Sequence, residues 1–223
     1  MKKFELTNEF ITNMFGTKLF RIRALVEFGD VEAGELGGYV EKESNLGHDD
    51  NAWVYDNAWV YGDAQVSGDA LVYDNARVYG NARVYGDAQV SGDALVYGNA
   101  WVYGDAQVSG DARVCGNALV YDNAWVYDNA WVYGNAQVSG DARVCGDARV
   151  CGNGDYAYAH GFGSVNRTTT FFRLKDGGVG VRCGCFYGTL AQFRDKIRET
   201  HGETKKAQEY LMLADLMKLR FEK

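Results

Sequence analysis

From Asn51 to Gly152 small apolar residues alternate with polar or bulky ones on an unbroken six-residue beat, NAWVYD NAWVYG DAQVSG DALVYD and onward. The run is 102 residues, 17 hexads of consensus (N/D)-A-x-V-(Y/S/C)-(G/D), with no insertion. Alanine holds the second position from Ala52 to Ala148, and valine the fourth from Val54 to Val150. Residues two apart on an extended chain point to the same side. Alanine and valine therefore face inward, and the variable row of Trp, Gln, Leu, Arg, Tyr, Ser and Cys faces out. One hexad offers one short strand and one corner. Three hexads close a triangular coil, so 17/3 predicts about 5.7 coils whose backbones pair as parallel strands, roughly 27 Å tall at about 4.8 Å per layer.

The corners fit this winding. Positions six and one are always Gly-Asp, Asp-Asn or Gly-Asn, so every corner contains Gly or Asn, the residues that tolerate positive φ most cheaply. Proline would remove a ladder donor, and the chain has none. An open stack exposes strand edges and core, so both ends need caps. Residues 1–50 are expected to form the first cap. There Phe20, Ile22 and Ala24 alternate with Arg21 and Arg23 as a strand, and Gly37-Gly38 reads as a turn. The repeat domain is drawn as 51–158, decaying through NGDYAYAHGFGS. Residues 159–223 read as a small α+β module. TTTFFRL and VGVRCGC are strands joined at Lys175-Asp176-Gly177-Gly178, a hairpin signal. Thr189 and Gln192 form a capping box opening a helix with Leu190, Phe193 and Ile197 on one face. A second helix carries Ala207, Tyr210, Leu211, Ala214 and Met217 at helical spacing. The fold class is thus mainly β: a parallel β-helix with an N-terminal cap and a C-terminal α+β module.

Composition adds a division of charge. The 223 residues carry a net charge of -7, but 51–152 hold 5 Arg against 12 Asp, whereas 159–223 hold 12 basic and 7 acidic groups. An acidic rod disfavours duplex nucleic acid along its length, while the basic module attracts small anions. No apolar run approaches the roughly 20 residues of a membrane span. The N-terminus lacks the apolar stretch of a secretory signal, and five cysteines, an odd number, favour free thiols in a reducing cytoplasm.

The hexad pattern resembles the left-handed parallel β-helix of hexapeptide-repeat proteins. GELGGYVEKESNL, the DNARVYG-type repeat, TTTFFR and CGCF together resemble uncharacterised proteins of phages and prophages, a resemblance that brings no activity with it. Many hexapeptide-repeat proteins are acyltransferases or gamma-class carbonic anhydrases, whose histidines the coils supply. Here the histidines are His48, His160 and His201, none within 51–152, so the resemblance implies neither activity and no zinc. No phosphate loop, dinucleotide fingerprint or nucleophile–base pair occurs, and no cofactor is expected.

Two candidate sites remain. Asn166, Arg167, Thr168, Thr170, Arg173 and Arg182, on or beside the hairpin, combine guanidinium groups and hydroxyls suited to phosphate or nucleotide oxygens. Trp59, Tyr61, Tyr79, Tyr97, Trp131 and Tyr133 stack in columns on one face. Such columns either stabilise the sheet as ladders or anchor a homo-oligomer, dimer or trimer, since aromatics and Arg are the usual anchors. A row of corner carboxylates, Asp69, Asp87 and Asp105, follows from the consensus and is not taken as a metal site. The expected function is non-catalytic: a phage-type protein that sequesters a small anionic ligand or engages a host protein. The alternatives are an enzyme using His160 or Cys185 in the module, and a structural rod or virion component.

Overall fold

The computed structural model describes residues 2–163 and 167–222. Two long strands open the chain, β1 (Phe4–Thr12) and β2 (Lys18–Ala24), followed by β3 (Leu36–Val40). Seventeen two-residue strands come next, β4 (Trp53–Val54) to β20 (Arg149–Val150), one per hexad. The chain ends in β21 (Tyr156–Phe162), β22 (Arg167–Arg173), β23 (Val179–Cys183), β24 (Phe186–Thr189), α1 (Leu190–His201) and α2 (Lys205–Phe221). The protein is a parallel β-solenoid of about six turns with a small antiparallel sheet and two helices at its C-terminal end.

The hexad arithmetic holds. Each short strand pairs in parallel with the strand three hexads on, as Val60↔Val78 and Val102↔Val120 do, giving three flat faces. Every repeat alanine and valine is at most 1% exposed. A triangular interior this narrow admits only such side chains, because larger ones would force the walls apart.

At the corners, the sequence suggests glycine or asparagine at positive φ. The structure places positive φ at position six from Asp56 to Gly146, on glycine or on Asp56, Asp74, Asp122 and Asp128, and not on the asparagine that follows. Aspartate tolerates this region because its carboxylate accepts a backbone N–H one coil up: Asp74 Oδ2 from Gly92 at 2.9 Å, and Asp122 Oδ2 from Gly140 at 3.2 Å.

The two ends are closed differently. In the solenoid the strand N–H groups that bridge coils donate toward the C-terminal end, as Trp59 N–H does to Ala76 O. The first coil therefore has unmet carbonyls and the last coil unmet N–H groups. Donors cover the first: Tyr39 N–H to Ala58 O, Glu41 N–H to Val60 O, Asn45 Nδ2 to Ala64 O, and Lys3 Nζ to Ala52 O at 2.8 Å. Phe4 and Phe28 cover Trp53, an outward position that is nonetheless fully buried. Gly37 and Gly38 lie inside β3 rather than in a turn. A Cβ there would stand 2.5 Å from Val54 O and 2.7 Å from Ala58 O, so the cap reaches the coil only where side chains are missing.

Acceptors cover the last coil. Thr170 Oγ1 takes the Arg143 N–H at 2.9 Å, Asn153 Oδ1 the Gln137 N–H at 2.8 Å, and Asp155 Oδ2 those of Cys151 and Gly152. The sheet β21–β22–β23–β24 lies across this end. Phe172 enters the solenoid core, while Phe171, its neighbour in sequence, packs with Phe193, Tyr210 and Ala214 under the helices. β21 spans residues 156 to 162 as a full partner of β22, where the sequence reads only a fading repeat.

Candidate ligand cleft in the C-terminal module

Strand alternation divides the hairpin residues between two faces. Thr170 pairs with Arg182, and Arg182 with Tyr187, so these point together at the solenoid end. Thr169 pairs with Cys183, which places both on the helix side with Arg167, Phe171 and Arg173. The arginines read as one set thus do not converge.

Each has its own surroundings. Arg182 lies against the Tyr127 ring, 5.9 Å from its centroid. Arg173 donates to Gly177 O and Phe221 O, both at 3.0 Å, and lies 4.0 Å from Asp155, tying the hairpin to the end of α2. Thr170 is fully buried and its hydroxyl is committed to Arg143, so it is not available to a ligand in solvent. Thr168 sits 2.9 Å from His160 Nδ1. Asp141 approaches that same nitrogen at 3.9 Å, so the imidazole is not strung between two partners as a relay would be. Asn166 lies outside the described residues.

Arg167 has a different setting. Its guanidinium lies on Gly184, whose missing side chain leaves it room. It forms the rim of a cleft of about 210 Å³ between the β23–β24 turn and the two helices. Phe186, Phe193, Ile197 and Tyr210 supply apolar walls; Lys196, Thr200, His201 and the thiols of Cys183 and Cys185 complete the lining. Among the described residues no carboxylate lines the cleft. Glu199, outside it, holds Lys196 at 2.9 Å in an exposed pair of small energetic value. His201 stacks on Tyr210 and Thr169 donates to Cys183 Sγ at 3.2 Å, which fixes the inner wall. The capping box orients α1: Thr189 Oγ1 accepts from Gln192 N–H, and the Gln192 side chain returns to Thr189 N–H.

Sequence reasoning found Arg167 and, for the enzyme alternative, Cys185, and did not bring the other lining residues to the site. Lys196, Thr200 and His201 share a helix face at spacings of four and five, a signal that helical periodicity alone contains. Their meeting with Cys185 depends on tertiary packing. Among the described residues no group of three His, Cys, Asp or Glu side chains is placed to hold a metal ion, and no helix is long and apolar enough to cross a membrane.

The aromatic columns lie on one face, as three hexads per coil require. Tyr61, Tyr79 and Tyr97 stack at 5.0 Å with nearly parallel rings. Arg77 covers Trp59 at 4.3 Å, and Trp131 lies between Arg113 and Arg149, tilted against Tyr133. These six aromatics are half-buried by one another. Burial pushes the Tyr61 and Tyr79 hydroxyls above the usual phenol range. The more exposed tryptophans, Trp101 and Trp125, belong to the other two faces.

A three-sided stack of parallel two-residue strands, plugged at both ends, defines a β-solenoid repeat protein. Comparison with known families agrees: the YdcK beta solenoid repeat matches residues 64–78, 76–90, 88–104, 106–120, 112–128, 124–140 and 136–152. The coils are similar to that repeat, and the matches lie within the hexad run. No curated protein matches the chain.

Proposed function

We propose that this is a non-catalytic binding protein whose solenoid is a rigid support and whose C-terminal module holds a small anionic ligand. The observation that carries the reading is the cleft beside Arg167. It has apolar walls and, among the described residues, a guanidinium without a partner and no lining carboxylate. Its size suits a compact carboxylate or phosphate ester with an apolar body, the anion on Arg167 and the body against Phe186 and Phe193. Left-handed winding, the phage-type resemblance and action in a bacterial cytoplasm belong to the same reading.

A thermal-shift panel of small carboxylates and phosphate monoesters tests it. A ligand at a hundred times its Kd stabilises by about 2.7 kcal/mol, and Arg167→Glu should abolish the shift without changing the unliganded melting temperature. Equal shifts in the variant, or none in the wild type with any member, would overturn the assignment.

A further inference from the structure

The solenoid is acidic, but its carboxylates lie in the corners rather than on the faces. On the face formed by the strands at Gln65, Arg83, Trp101, Leu119 and Gln137, as on the other two, the outward positions carry no carboxylate. The corner column beside it is amide: Asn81, Asn99, Asn117 and Asn135 hydrogen-bond in series, each step 3.1 Å. The corner on the other side of this face carries Asp69, Asp87 and Asp105 on consecutive coils. Of the carboxylates at its two corners, Asp63 is held by Lys42 at 2.7 Å, Asp69 by the Asn51 amide at 2.7 Å and Asp122 by Gly140 N–H.

The same face carries Tyr85, Tyr103 and Tyr121, stacked at 5.0 and 5.1 Å with rings within 3° of parallel. Stacking covers the ring faces and leaves ring edges outward, so the ladder presents phenol groups at one per coil. None of the three hydroxyls has a hydrogen-bonded partner among the described residues. Beyond Tyr121 the row continues into a groove of about 400 Å³ lined by Gln137, Ser139, Asn153, Tyr156, Tyr158 and Arg220. Trp101 stands beside the ladder, 37% exposed.

We propose that this face binds an extended neutral polysaccharide lying along the solenoid axis. Amides, phenols and an exposed indole are groups that pair with sugar hydroxyls and cover apolar sugar faces. The spacing supports a polymer over a compact ligand: one coil rises by about the length of one sugar ring in an extended chain, so successive sugars meet the same donor and acceptor set. Asn99 and Asn117 each use one N–H and one lone pair on their neighbours, Asn81 one N–H and Asn135 one lone pair, and the remaining groups are left for a ligand. A polyanion would meet the overall charge of -7 with only Arg83 and Arg220 to oppose it. This surface lies on the rod, apart from the Arg167 cleft, and does not depend on it.

Affinity electrophoresis through gels containing hydroxyethyl cellulose, a soluble β-glucan or polygalacturonate tests the assignment. The wild type should be retarded by at least one neutral polymer and not by polygalacturonate. Tyr85→Phe, Tyr103→Phe and Tyr121→Phe together keep the stack but remove three hydroxyls. They should raise the dissociation constant at least about tenfold at an unchanged melting temperature. Should that variant melt early, Tyr103→Phe alone gives the same reading with a smaller shift. Arg167→Glu should be retarded like the wild type. Free migration of the wild type in both neutral gels, retardation by polygalacturonate alone, or full retardation of the phenylalanine variants would overturn the proposal.

Discussion

The N-terminal and C-terminal ends of the solenoid face the same problem with opposite signs. The first coil offers carbonyls and is met by donors: the Lys3 ammonium, the Asn45 amide and the N–H groups of β3. The last coil offers N–H groups and is met by the oxygens of Thr170, Asn153 and Asp155. Both ends also need an apolar plug, Phe4 over Trp53 at one and Phe172 at the other. The difference teaches why the two caps are not interchangeable. A parallel stack has a direction, and buried backbone groups left unpaired at either end would cost about 1–3 kcal/mol each. It also explains the two-sided sheet at the C-terminal end, with one face spent on closure and the other free to build a cleft.

The largest effect belongs to the shared interior. Val102→Asp buries a carboxylate where no partner exists and should cost at least about 3 kcal/mol, unfolding coils toward both ends alike. Circular dichroism during urea titration checks this, and wild-type stability would contradict the register. Phe172→Ala separates the ends. Removing a fully buried ring should cost about 3–5 kcal/mol and expose the last coil while the first stays protected. Loss of protection at both ends together would mean that the caps are coupled through the whole rod.

Lys3 sharpens the comparison through pH. Burial holds its ammonium down at about 8 from 10.5, against the opposing pull of Asp50, Asp49 and Asp69. Between those values the folded chain carries fewer protons than the unfolded one. Stability therefore rises with pH across the window, and that gain is lost as pH falls through about 8. Lys3→Met leaves the Ala52 and Asp50 carbonyls unpaired. Its melting deficit should be larger at about pH 9.5 than at pH 7, because by then the wild type has shed the buried charge. An equal deficit at both would place the amine in solvent. Above pH 10 the buried tyrosines act the other way, since raised phenols such as Tyr61 keep protons that the unfolded chain releases.

How much of this was legible beforehand follows from the range of each interaction. The coil register, the inward alanines and valines, the hairpin at Gly177 and the Thr189 cap depend on periodicity or near neighbours, and the hexads display them directly. Position-six aspartates at positive φ needed knowledge of the N–H one coil above. Gly37 and Gly38 read as a turn because their reason, the closeness of Val54 O and Ala58 O, lies across the fold. The site suffered most. Arg167, Arg173 and Arg182 are near in sequence, but strand alternation and pairing place Arg182 on the opposite side of the sheet, while Lys196 and His201 arrive from a helix.

The smallest predicted loss is also the most local. Thr170→Val keeps shape and removes the acceptor for Arg143 N–H, for about 1–2 kcal/mol. Amide hydrogen exchange on this variant and the wild type tests most directly whether side-chain oxygens close the last coil. In the wild type the Arg143 amide should exchange as slowly as that of Trp131, which donates to Ala148 O. In Thr170→Val it alone should lose protection, with Gln137 and Cys151 still held by Asn153 and Asp155. Rapid exchange of the Arg143 amide in the wild type, or no change on substitution, would contradict the account.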